Sequence, residues 1–180
     1  LNWTFFFAIS LGVLRAVGDQ FVKLQPPQFE LLGIDRKADK LKSDHAAYKA
    51  LQTITGLFGI EEFEVYQARR GLVFIETTEP LSVCLGPDVV RMFNIREQRF
   101  LYGRAAMGLF DKTAIGRRLA PGELADVLGN SVRIHFPTWE GLGRKSDEQS
   151  KQLRRAYSRK AIKTLEEPAS QAAQLQREQV

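Results

Sequence analysis

A transition metal finds few partners in this chain: its 180 residues include two histidines and one cysteine. Zinc takes three or four ligands from Cys, His, Asp and Glu. Neither His45 nor His135 has a His or Glu four residues on, so no metal and no other cofactor is expected. The lone Cys84 excludes a disulfide within the chain and all but excludes a cysteine-based zinc site. It lies in "LSVCLG", where it reads as a small buried hydrophobe, and a reducing, cytoplasmic setting is expected. Long apolar runs are also missing. "WTFFFAISLGVL" extends for only about a dozen residues before Arg15, whereas a membrane span takes roughly 20. The run lacks a basic leader and a small-residue cleavage site. It reads as a core-facing helix; the alternative is the stub of a membrane segment cut at Leu1. Because the chain opens without Met, it is expected to be a fragment or a processed product. There is no GxGxxG, no GxxxxGK[ST], and no GxSxG around Ser10 or Ser131.

What is present describes an ordinary folded protein, 44% hydrophobic and 26% charged. The length suits one domain with a real core. Three parts are expected: an N-terminal helical segment over residues 1–25 that packs on the rest, a core module over 26–167, and a polar tail over 168–180. The net charge of +5 is concentrated between Arg144 and Lys163.

The periodicity changes along the chain. Residues 3–24 read as helix, interrupted at Gly18-Asp19-Gln20 and stopped by Pro26-Pro27. "GIDRKADKLKSDH" is a charged surface connection. Helix returns near Ala46, with apolar residues at helical spacing up to Phe58 and a stop at Gly59. "FEVYQA", "LVFIE" and "LSVCL" read as three short strands, with a turn at Arg69-Arg70-Gly71. Connections this short predict mostly antiparallel pairing. Pro87 and Asp88 open another helical stretch. A long helix follows from Asn94 to Phe110, then one from Pro121 to about Arg133. Ser146 and Gln149 form a capping-box pattern for a last helix, Asp147 to about Glu167, which Pro168 stops. The tail beyond has little apolar area to bury. The fold class is α+β, predominantly helical, with a small sheet of about three strands.

In "REQRFLYGRAAMGLF", Leu101, Ala105 and Leu109 form one row, and Tyr102, Ala106 and Phe110 the next. Gly103, Ala105, Ala106 and Gly108 are small enough for another element to approach closely. A helix-interior glycine costs roughly 0.5–1 kcal/mol relative to Ala, so the two glycines predict tight packing.

The strands followed by "RFLYGRAAMG" resemble the M48-like zinc peptidases, whose catalytic helix carries HExxH. Matched residue by residue, Arg104 falls at the first His, Ala105 at the Glu and Gly108 at the second His, so all three chemical groups are missing. "EVYQA", "LSVCLGPDVV", "REQRFLYGRAAMGL" and "LAPGELADVLGNSVRIHFP" are more closely similar to the C-terminal module of large tetratricopeptide-repeat proteins of myxobacteria and related deltaproteobacteria. That likeness covers Leu31 to Glu167, with "GR" its most specific element. It implies a degenerate, zincin-like pseudopeptidase domain appended to repeats that this chain lacks.

Other candidates are weaker. "GLGRKS" (Gly141 to Ser146) has the residues of a phosphate loop without its spacing. It reads as a loop feeding a capped helix, or as a weak anion site at a helix start. Glu61-Glu62 and Glu166-Glu167 are adjacent pairs and read as solvated. In the last helix, Lys151, Arg155, Arg159 and Lys163 recur every four residues as one basic stripe, broadened by Arg154 and Lys160. Leu153, Ala156, Tyr157, Ala161 and either Ile162 or Leu165 form the packed face. The stripe is either a solvated surface or a docking site for a protein partner, an acidic one by charge. Nucleic acid is a less expected partner, because helix-turn-helix and aromatic RNA-binding signatures are absent. The expected function is a non-catalytic interaction or scaffold module. The alternatives are a cryptic hydrolase, or a binder of nucleic acid or anionic surfaces through the basic helix.

Overall fold

The computed structural model describes residues 3–23 and 25–178. In chain order the helices are α1 (Trp3–Val17), α2 (Ala46–Gly56), α3 (Asp88–Met92), α4 (Ile95–Phe110), α5 (Pro121–Val132), α6 (Asp147–Ala156) and α7 (Arg159–Glu178). The strands are β1 (Glu64–Gln67), β2 (Val73–Glu76) and β3 (Ser82–Leu85). The fold is therefore α+β and predominantly helical, as expected. No helix among the described residues is long and apolar enough to cross a membrane.

The chain forms two compact units, Gln25–Phe110 and Leu1–Leu24 with Asp111–Val180. The expected core module over 26–167 is thus divided after Phe110. The reason lies in where the apolar faces of the terminal helices go. In the unit built from the chain ends, α1 packs on α7 and α5, and α5 packs on α6. Val13, Leu14 and Val17 of α1 share one core with Leu128, Val132, Trp139, Leu153, Tyr157 and Leu165. The core-facing reading of α1 holds over these three residues but not at Phe7, which is 69% exposed; side chains 3–6 of that run, and Leu24, lie outside the described residues.

Two expectations for the C-terminal region are corrected. The last helix is not continuous. Tyr157 adopts an extended backbone after α6, and the Ser158 hydroxyl then accepts from the Ala161 amide at 3.2 Å, starting α7. Nor does Pro168 stop α7, which runs through it. An interior proline costs about 3 kcal/mol by removing a helical hydrogen bond. Here the proline is buried with Ala169 and Ala172. A Cβ on Gly12 of α1 would stand only 3.0 Å from its ring, so close packing between the helices offsets the loss. The expected polar tail is accordingly helix as far as Glu178; residues 179–180 lie outside the described ones.

In the other unit the sheet order is β1-β3-β2. β2 pairs antiparallel with β3, as expected, but β1 pairs with β3 in parallel, in register Glu64↔Ser82 to Gln67↔Leu85. The turn at Arg69-Arg70-Gly71 does not close a hairpin. Past β1 the chain stays in line: Ala68 donates to the Leu85 carbonyl at 2.8 Å and Arg69 to that of Leu32 at 3.0 Å. This leaves the slot beside β1 for β3. All four β3 residues are buried, Cys84 among them. The outer edge of β1 is covered by residues 39–41, through Leu41 N–H to Val65 O and Gln67 N–H to Asp39 O, both 2.8 Å, so no open edge remains there to pair with another chain. α4 packs on α2 and β2.

Candidate functional site

The helix α4 carries both the resemblance and the small residues. Ala105, Ala106 and Gly108 are buried with Tyr102 and Leu109. Gly103 does not fit the close-packing expectation: a Cβ placed there would meet no atom within 4 Å. It lies on the helix side opposite to Ala105 and Leu109, which face α4's neighbours. Arg104, at the place of the first zinc-binding His, is exposed, whereas Ala105 and Gly108 are buried.

Both histidines have local partners. His45 Nδ1 accepts from the Ala47 amide at 3.2 Å and caps α2. His135 Nε2 stands 3.0 Å from the Ile162 carbonyl. Among the described residues no three His, Cys, Asp or Glu side chains stand together as a metal site. Burial pushes the Cys84 thiol up to about 12, so it stays protonated. Ser131 is buried and bonds the Val127 carbonyl and the Tyr157 hydroxyl, both at 2.8 Å. Burial pushes that phenol above its usual range, and the Ser131 bond only partly offsets it.

The loop holding "GLGRKS" is built on a buried cation. Arg133 is 4% exposed. Its guanidinium donates to the carbonyls of Trp139 (2.8 Å), Leu142 (2.9 Å), Gly143 (3.2 Å) and Arg144 (3.3 Å). Burial lowers its pKa, against the opposing charges of Asp126 and Glu140. Asn130, fully buried, donates to the Arg144 carbonyl at 2.9 Å and accepts from the Ser146 amide at 3.0 Å. The loop therefore turns its carbonyls toward a cation. Its Arg144 and Ser146 amides are taken by Asp126 (2.6 Å) and Asn130. The anion-site alternative fails for those two donors, and the reading as a loop feeding a capped helix stands. Ser146 does cap α6, its hydroxyl accepting from Gln149 N–H at 3.2 Å. An open cleft of about 510 Å³ beside this cap is lined by Asp126, Arg144, Lys145, Glu148 and Gln152.

The basic stripe is split by the helix break. Lys151, Arg154 and Arg155 lie on α6, and Arg159, Lys160 and Lys163 on α7; all six are exposed. The apolar side is as expected, with Leu153, Tyr157, Ala161 and Leu165 buried and Ala156 and Ile162 partly buried. Glu61, Glu62, Glu166 and Glu167 are exposed.

One surface was missed by the sequence reading. α4 is apolar on two sides. Its outward side carries Phe100, 67% exposed, Met107, 45% exposed, and Phe110, 44% exposed, which the sequence pattern puts in one row with the buried Tyr102 and Ala106. The signal was available, since Phe100 and Met107 are seven residues apart, two helical turns, and lie off both apolar rows. Comparison with protein families, curated proteins and solved structures finds no match to this chain.

Proposed function

We propose that this chain is a non-catalytic interaction module that docks an acidic protein partner through the cations of α6 and α7. The observation that carries this reading is the division of labour on those helices. The packed side is mainly apolar, its polar members Gln149, Ser150 and Tyr157 being bonded to α5, and none of the six outward cations takes part in an ion pair among the described residues. They hold no element of the fold in place, and their charge is left to act on whatever approaches. The resemblance to a zincin-like domain with Arg104, Ala105 and Gly108 at its chemical positions supports the same reading, as a scaffold module of a larger repeat protein. A cytoplasmic setting is part of this reading, supported by the single cysteine of the chain.

The test is the double reversal Arg155→Glu with Arg159→Glu. Exposed substitutions of this kind change stability by less than about 0.5 kcal/mol, so the circular dichroism and melting curve should be those of the wild type. A partner recovered by crosslinking to the wild type, and identified by its crosslinks to α6 or α7, should be lost. Unfolding of the variant would show that these arginines serve the fold. Unchanged crosslinking would mean that the partner is held without these arginines, and no partner crosslinked to α6 or α7 in the wild type would make the surface merely solvated; either outcome overturns the reading. Duplex DNA binding that falls steeply with salt and vanishes in the variant would replace the protein reading by a nucleic-acid one.

A further inference from the structure

The outward side of α4 is apolar, with arginines on its borders. At about 100° per residue, Phe100, Gly103, Met107 and Phe110 fall within roughly 80° of arc, with Arg99 and Arg104 on its two borders. Arg96 extends the same face by one turn toward the helix start. Phe100, Met107 and Phe110 are exposed, as are all three arginines. No ion pair among the described residues engages those arginines. The one acid within α4, Glu97, accepts from the Asn94 amide at 2.8 Å. Phe58 of the following α2 turn lies 5.7 Å from the Phe110 ring, which continues the apolar surface beside the exposed Leu57.

Gly103 sits in the middle. Nothing stands within 4 Å of where its Cβ would be, so the helix bears a glycine's cost with no close packing from its own chain to offset it. The result is a notch between Phe100 and Met107. A notch flanked by two large apolar side chains takes one side chain of a crossing helix, as a ridge enters a groove. Arginine on both borders favours acidic groups on both borders of the incoming helix, and opposite charges along the rim set orientation and partner choice.

We infer that this face is a docking site for an amphipathic helix of a partner protein whose apolar stripe is bordered by Glu or Asp. The site lies on the other unit from the basic residues of α6 and α7, and either reading can fail without the other. Of the possible occupants, an acidic helix is the one that uses the arginines, the apolar residues and the notch together. A nucleic acid would use the arginines and leave the apolar residues and notch idle.

The experiment uses the whole chain and two synthetic helical peptides. Both carry Leu at i, i+3 and i+7; one has Glu borders and the other Lys borders. The Glu-bordered peptide should bind the wild type. It should lose tenfold or more in affinity for Arg99→Glu/Arg104→Glu, and that variant should now take the Lys-bordered peptide. Gly103→Leu, which fills the notch over open space, should leave the melting temperature at or above that of the wild type while abolishing binding. Failure of the Glu-bordered peptide to bind, or equal binding of both peptides, overturns the inference. So does wild-type dimerisation by sedimentation that disappears in Phe100→Ser, which would make the occupant a second copy. Binding to phosphatidylserine vesicles that needs Phe100, with no peptide binding, would make the face a membrane contact and likewise overturn it.

Discussion

The guanidinium of Arg133 donates to the side-chain oxygen of Asn130 at 3.2 Å, three residues back on the same chain turn. Around this pair the polar loop between α5 and α6 is fixed. Arg133 gathers the loop's carbonyls, and Asn130 receives its last amide while also donating to Gln149 of α6 at 2.6 Å. A buried polar network of this kind is stable only when nearly every member is satisfied.

Arg133→Ala should therefore be among the most damaging single substitutions in this unit. It leaves the carbonyls of Trp139 and Leu142 without their charged donor. Unsatisfied buried groups cost about 1–3 kcal/mol each, so a loss of about 3 kcal/mol or more is expected. In urea this appears as a lower midpoint. Arg133→Lys should not restore it, because an ammonium lacks the planar fork that reaches several carbonyls at once. Full stability in the lysine variant would mean that the charge alone matters.

Glycines of the two units should respond in opposite directions. Gly129 in α5 passes under the same loop, where a Cβ would stand 1.9 Å from the Leu142 carbonyl oxygen. Gly143 on the loop has a left-handed backbone, φ +61, and faces the Ala125 carbonyl. Backbone cannot yield as a side-chain tip does, so Gly129→Ala should destabilise by about 1–3 kcal/mol. Gly103→Ala adds its methyl to open space and removes the backbone freedom of glycine. It should stabilise by roughly 0.5–1 kcal/mol. Denaturant midpoints of both variants check the pair, and equal effects would contradict the packing described for α5.

These contrasts show which features could be read from the chain. Helix and strand locations follow from periodicity, as with Leu51 and Thr55, the buried residues of α2. So does the Ser146 cap, because it depends on neighbours a few residues away. Strand partnership does not: whether Arg69 turns back or bonds Leu32 is decided by a residue 37 positions earlier. The break at Tyr157 is equally hidden, because the basic residues keep their four-residue spacing on both sides of it. Gly103 and Gly108 look alike in sequence, yet one is buried and the other meets nothing within 4 Å. Pro168 reads as a stop until the surface that α1 offers it is known.

In the other unit, Glu64 is a carboxylate whose protonation should cost stability in acid. Glu64, 19% exposed, accepts from the Lys40 ammonium and from the Tyr66 hydroxyl, the latter at 2.6 Å. Burial alone would raise its pKa, but those two hydrogen bonds and the Lys40 charge outweigh it and hold the carboxyl below the ordinary value of 4.5. A carboxyl depressed by folding contributes stability that is fully present above its unfolded value and is lost as pH falls through the folded one. Melting temperature should therefore be insensitive to this group above pH 4.5 and fall below it. Glu64→Gln keeps an acceptor for Tyr66 but removes the charge. Its melting temperature should be lower than that of the wild type near neutrality, and the two curves should converge as the wild-type carboxyl is protonated. A constant gap between the curves down to pH 2, about two units below the ordinary glutamate range, would mean that Glu64 acts through shape and not through charge.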